Sequence, residues 1–83
     1  MNLFVEWEPA ALNAAARFLA DDPDGLRKAM DAIDLLSCDP RPDGTFEYGS
    51  PDLRRMQAGR YRVLYDIDGN AGAVRVVHFG RVG

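Results

Sequence analysis

Cysteine occurs once, at Cys38, and histidine once, at His78, among 83 residues. A lone cysteine excludes an internal disulfide, and one histidine with one cysteine leaves no metal-ligand spacing, so neither a metal nor any other cofactor is expected. The sequence has no G-x-x-x-x-G-K-[ST] phosphate loop and no G-x-S-x-G turn, which argues against nucleotide hydrolysis; the missing ligand set argues equally against metal-dependent hydrolysis. No apolar run approaches the roughly 20 residues of a membrane span. No basic, apolar leader follows Met1, and the expected location is the cytoplasm. Cys38 itself, late in an apolar helix, is expected to be a small buried hydrophobe.

A hydrophobic fraction of 47% with eight aromatic residues is enough to fold the chain. Residues 1–83 form one domain, and a domain of this size buries only about 60–65% of the surface its unfolded chain exposes. The net charge of −3 hides a polarised molecule: residues 53–83 carry six arginines, no lysine and two acids, whereas residues 1–52 carry four basic residues against eleven acids. Overall acidity opposes an indiscriminate nucleic-acid coat. A basic face opposite an acidic one still binds a polyanion locally.

Residues 2–8 alternate as a first strand, with Leu3, Val5 and Trp7 on one face. Pro9 ends it and starts a helix over 10–20, in which Ala11, Leu12, Ala15, Phe18 and Leu19 recur at helical spacing. The turn at 21–25 supplies an N-cap, either Asp22 with Pro23 at the first helical position or Asp24. In the second helix Leu26, Ala29, Met30, Ile33 and Leu36 face inward, while Arg27, Lys28, Asp31 and Asp34 face water. Pro40 and Pro42 close that helix and open a loop to about Pro51 that contains Phe46 and Tyr48. Strands follow at 53–57, 61–67 and 73–79, the last two joined by the turn formers Asp68, Gly69, Asn70 and Gly72. The predicted class is α+β in the order β-α-α-β-β-β, an antiparallel sheet with an αα-hairpin packed on one face and the other face open to a ligand.

Alternation places Tyr61, Val63, Tyr65 and Ile67 on the core face of the third strand and Arg60, Arg62, Leu64 and Asp66 on the other. In the fourth strand Val74, Val76 and His78 share one face and Arg75, Val77, Phe79 and Arg81 the other, with Gly80 able to break the register. The second strand offers Arg54 or Arg55 to the open face, but not both. A single exposed arginine serves solubility and edge protection. Six of them without lysine suit bidentate phosphate binding, although an arginine-rich genome would produce the same bias. His78 is either a satisfied histidine near the end of a buried strand or a proton carrier beside the arginines.

The segment Gly59-Arg60-Tyr61-Arg62-Val63-Leu64-Tyr65-Asp66-Ile67 resembles the G-x-Y-R-[hydrophobic]-x-Y strand of the RelE/ParE superfamily of bacterial type II toxins. Residues 74–81 are similar to that family's terminal strand, residues 7–12 to its approach to the first helix, and residues 35–42 to its exit from the second. The resemblance covers nearly the whole chain. It implies a RelE-like fold, a cognate antitoxin as partner in a toxin-antitoxin hetero-oligomer, and no membrane partner.

In the RelE branch it implies a ribosome-dependent endoribonuclease that cuts messenger RNA by attack of the ribose 2′-OH on the adjacent phosphate. By position Arg62 then holds the scissile phosphate, Arg55 matches a basic residue of the preceding strand and Arg81 the terminal basic cluster. His78 completes the catalytic set as proton carrier, because arginine stays protonated, and Arg54, Arg60 and Arg75 are expected to bind RNA as members of the arginine cluster. The sequence departs from the family in having Leu53 at a basic position and in ending at Gly83 without the tyrosine-bearing tail of several relatives. These departures keep open a ParE-like inhibitor of DNA gyrase that cleaves nothing, and a degenerate relative that only binds antitoxin.

Overall fold

The computed structural model describes residues 2–82. Met1 and Gly83, the positions on which the readings of a leader and a tail turn, lie outside the described residues. Strict alternation in YRVLYDID produces the central strand β4 (Tyr61–Asp68), in which Tyr61, Val63, Tyr65 and Ile67 are buried and the residues between them are not. It pairs antiparallel with β3 (Leu53–Ala58) on one side and β5 (Ala73–Arg81) on the other. These three strands stand as expected.

Two features of the sheet correct the sequence reading. Residues 46–50, expected within a loop, form an edge strand β2 (Phe46–Ser50) antiparallel to β3. The N-terminal strand β1 (Phe4–Trp7) runs parallel to β5, so the five-stranded sheet, ordered β1-β5-β4-β3-β2, is mixed rather than wholly antiparallel. The parallel pairing follows from connectivity. Between β1 and the rest of the sheet the chain runs through both helices, which supplies the long crossover that a parallel neighbour requires. The signal for β2 is weak because its five residues are all exposed and two are Gly49 and Ser50, so the alternation at its start buries nothing, and its pairing to β3 is what holds it.

The helices α1 (Pro9–Ala16) and α2 (Pro23–Asp34) cover one sheet face, as expected. α1 is shorter than the expected 10–20. At its end the Phe18 and Leu19 amides bond to the Ala15 and Ala16 carbonyls three residues back, tightening the last turn and directing Phe18 inward, 5.4 Å from the Tyr61 ring. In α2, Leu26, Ala29 and Ile33 are buried while Arg27, Lys28, Asp31 and Asp34 are exposed, and a 3₁₀ turn at Leu35–Ser37 adds buried Leu36. Cys38 is exposed rather than buried, because the chain leaves the helical path there; its thiol lies 3.6 Å from the Asn2 side-chain oxygen. No helix among the described residues is long and apolar enough to cross a membrane.

Asp22, one of two candidate caps, fills that role and ties the helix pair to the sheet. One carboxylate oxygen accepts the Gly25 amide at 3.1 Å and the other accepts the buried Tyr61 hydroxyl at 2.8 Å. A Cβ at position 25 would fall 2.2 Å from that carboxylate, so the absence of a side chain lets Asp22 close over the first turn. The Tyr61 hydroxyl, followed by the Gly25 amide, holds the Asp22 carboxyl below its ordinary range, while burial and the Asp22 contact push the Tyr61 phenol up. A carboxyl depressed in the folded state adds stability that is complete above its unfolded value near 3.8 and is lost as pH falls through the folded value. Asp22→Asn is expected to lower the melting temperature at pH 7 and to lose less stability than the wild type between pH 5 and pH 2. Thermal melts across that range measure both effects, and parallel acid limbs for the two proteins would refute the linkage.

Candidate functional site

The uncovered sheet face takes its composition from cross-strand register. Residues directly opposite one another share a face, and those two along are diagonal neighbours about 7–8 Å away, within reach of long side chains. Leu64 of β4 faces Arg55 on β3 and His78 on β5, and Arg55 in turn faces Phe46 on β2. The next row is Gln57, Arg62 and Gly80. Arg62 is thus the diagonal neighbour of both Arg55 and His78, and all three are exposed.

His78 reaches this face through a β-bulge. The pairs Leu64–His78 and Tyr65–Val76 leave Val77 unpaired, which reverses the alternation of β5 from that point. Val74 and Val76 point to the helices, as do Phe79 and Arg81 beyond the bulge. The expected grouping of His78 with Val74 and Val76 is therefore corrected, and the buried-histidine alternative falls with it. Gly80 then makes room for the imidazole: a Cβ there would lie 3.3 Å from His78 Nε2. The ring lies over Gly80, whose cross-strand partner is Arg62.

The remaining arginines occupy other places. Arg81 is on the helix side of the sheet, where its guanidinium donates to Asp21 and sits 4.7 Å above the Phe18 ring centre. The Asp21 bond raises its already high pKa. Arg54 faces away from Arg55, as the either-or expectation for that strand requires. It donates to the Thr45 hydroxyl at 3.2 Å and carbonyl at 3.0 Å, which anchors the segment before β2. Arg75 is on the open face but is surrounded by Asp66 at 3.2 Å, Glu6 at 3.7 Å and Asp68 at 3.8 Å. Arg60 is in the β3–β4 turn, beside a cleft lined by Asp22, Asp24 and Lys28. Arg55 and Arg62 form no ion pair among the described residues. Of the seven positions expected to act or bind RNA, the fold brings together Arg55, Arg62 and His78 and separates Arg54, Arg60, Arg75 and Arg81.

Two further residues border this set. Phe46 and Tyr48 of β2 are 62% and 50% exposed, and the Arg55 guanidinium carbon lies 5.9 Å from the Tyr48 ring centre. The alternation of Thr45, Phe46, Glu47 and Tyr48 was the available sign of a strand. An exposed face with two unpaired guanidinium groups and an imidazole can bind a phosphodiester, stabilise charge developing on it, and move a proton nearby.

No family model matches the chain, and no curated protein matches its sequence. Solved structures do match its fold. The archaeal RelE–RelB complex of Pyrococcus horikoshii contains a chain with 21% identity and a TM-score of 0.77, the match covering 100% of this chain and 98% of that one. The RelBE2 toxin-antitoxin complex of Mycobacterium tuberculosis gives 19% identity and 0.77, covering 98% and 99%. The chromosomal ParDE system of Pseudomonas aeruginosa gives 9% and 0.73, covering 98% and 97%. The fold is RelE-like over the full length of the chain, as the sequence resemblance implied.

Proposed function

We propose that this chain is the toxin of a type II toxin-antitoxin pair and cuts messenger RNA on the ribosome. The observation that carries this reading is the bulge at Val77, which puts His78 on the face of two unpaired arginines, diagonal to Arg62 and across Leu64 from Arg55, while three other arginines of the same stretch are held by acids or by Thr45. The RelE-like fold supports the toxin assignment, and the site's chemistry supports the reaction.

In that reaction the ribose 2′-oxygen bonds to the adjacent phosphorus as its proton leaves. The bond from phosphorus to the 5′-oxygen breaks, giving a 2′,3′-cyclic phosphate and a 5′-hydroxyl. Arg62, with Arg55, holds the phosphate and offsets charge on the pentacoordinate phosphorane. Arginine stays protonated and is a poor general base. His78 is the one nearby side chain suited to take the 2′-hydroxyl proton or supply one to the leaving oxygen. An antitoxin bearing acids toward Arg55 and Arg62 would silence the site, and the work would take place in the cytoplasm, where ribosomes are.

Cell-free translation with purified protein, followed by primer extension on the message, tests the reading. Discrete cuts that require ribosomes are expected. An intact message with inhibited gyrase supercoiling would replace this function with the ParE-like one. Within the same assay, His78→Ala is expected to slow cleavage about 10²–10⁴-fold, the range of general acid–base catalysis. Gly80→Ala, by crowding the imidazole at 3.3 Å, is expected to lie between that variant and the wild type. Equal rates for all three would remove His78 from the chemistry.

A further inference from the structure

We propose that Phe46 and Tyr48 form a stacking platform for unpaired bases of the RNA strand whose phosphates lie on Arg55 and Arg62. This inference rests on the ribonuclease reading and adds a base-binding subsite to it. Phe46 is directly opposite Arg55, and a shallow pocket of about 100 Å³ is lined by Gly44, Phe46, Arg55, Met56, Gln57 and Arg62. Gly44 lines it at φ +90°, a backbone conformation that residues with a side chain rarely adopt. Two large exposed rings on an edge strand invite aggregation unless something covers them.

Charge decides what that occupant is. An apolar protein segment laid over both rings would strip water from the unpaired Arg55 and Arg62 guanidinium groups, whereas a polynucleotide supplies a phosphate for each and a flat base for each ring. Pairing of a further protein strand along β2 is also disfavoured, because its register with β3 shifts between Glu47 and Ser50. The nearest carboxylate on β2, Glu47, pairs with Arg54 and so projects to the other face. Base stacking on an aromatic ring is sequence-tolerant, so the platform would position the strand without dictating its codon.

A proton NMR titration of the full chain with a mixed-sequence, uncleavable 2′-O-methyl hexanucleotide tests the platform. Upfield shifts of the Phe46 and Tyr48 ring protons are expected, together with perturbation of Arg55 and Arg62. The same backbone without bases should perturb the arginines alone. In translation extracts, Phe46→Leu combined with Tyr48→Leu should slow cleavage about 5- to 150-fold per stacked base, while Phe46→Tyr combined with Tyr48→Phe, which keeps both rings, should recover most of that loss. Ring protons that do not move, or leucine variants as fast as the wild type, would overturn the platform and leave the ribonuclease reading intact. A wild-type protein that leaves the message uncut would overturn both. All four substitutions are at exposed positions, and melting curves verify that the variants stay folded.

Discussion

Arg62→Ala is expected to lower ribosome-dependent cleavage about 10²–10³-fold while leaving the melting temperature within about 4 °C of the wild type. The size follows from its role. Removing one preorganised donor from a developing oxyanion costs about that factor in other enzymes. The unchanged stability follows from its surroundings, since Arg62 is exposed and unpaired and such surface substitutions usually stay within about 0.5 kcal/mol. Arg75→Ala supplies the contrast. It removes the cation shared by Glu6, Asp66 and Asp68 and should lower stability, with cleavage retained. Initial rates of message cleavage, paired with thermal melts, separate the two outcomes. If Arg62→Ala cleaved at the wild-type rate, the phosphate would have to be held elsewhere, and the open face would lose its central residue.

Phe79→Ala is expected to be the most damaging single change to the fold. Phe79 is 2% exposed, stacks on Tyr61 with ring centres 5.1 Å apart, and meets Trp7 at 5.7 Å and Phe18 at 6.3 Å. One ring thereby joins β1, the turn after α1, β4 and β5. Phenylalanine-to-alanine changes in cores cost about 3–5 kcal/mol. At about 0.05–0.15 kcal/mol per residue, a chain of this length has a total stability of only about 4–12 kcal/mol. The variant should lose at least about a quarter of that total, with a matching fall in its urea midpoint, and Phe79→Leu, which keeps most of the volume, should lose only about 1–2 kcal/mol. Urea denaturation followed by tryptophan fluorescence measures both. A cooperative transition for Phe79→Ala close to that of the wild type would show that the cluster relaxes into the space left behind.

What sequence could disclose varied along the chain with the kind of interaction that fixes each element. The helical faces of α2 and the strict alternation of β4 were legible because burial there follows the period of a single element. The fold class followed from the same local rule, which also put Arg62 on the open face and limited the second strand to one of Arg54 and Arg55 there; the pairing of Arg55 with Leu64 made that choice. β5 was read wrongly beyond Val77, since both of its faces carry apolar residues and an inserted residue leaves no mark in a pattern already ambiguous.

By itself, the sequence determined an α+β domain, a RelE-like strand order for its C-terminal half, an exposed arginine-bearing face, and Asp22 as a candidate cap. Tertiary structure alone decided that β1 runs parallel to β5, that residues 46–50 are a strand, and that His78 belongs with Arg62. It also decided which arginines are free. Arg81 meets Asp21 and Arg75 meets Glu6 across most of the chain's length, and Arg54 meets Thr45 across a loop. The physical reason is common to all of these: periodicity is a property of one element and is written in consecutive residues, whereas register, bulges and ion pairs arise only when distant elements pack against each other.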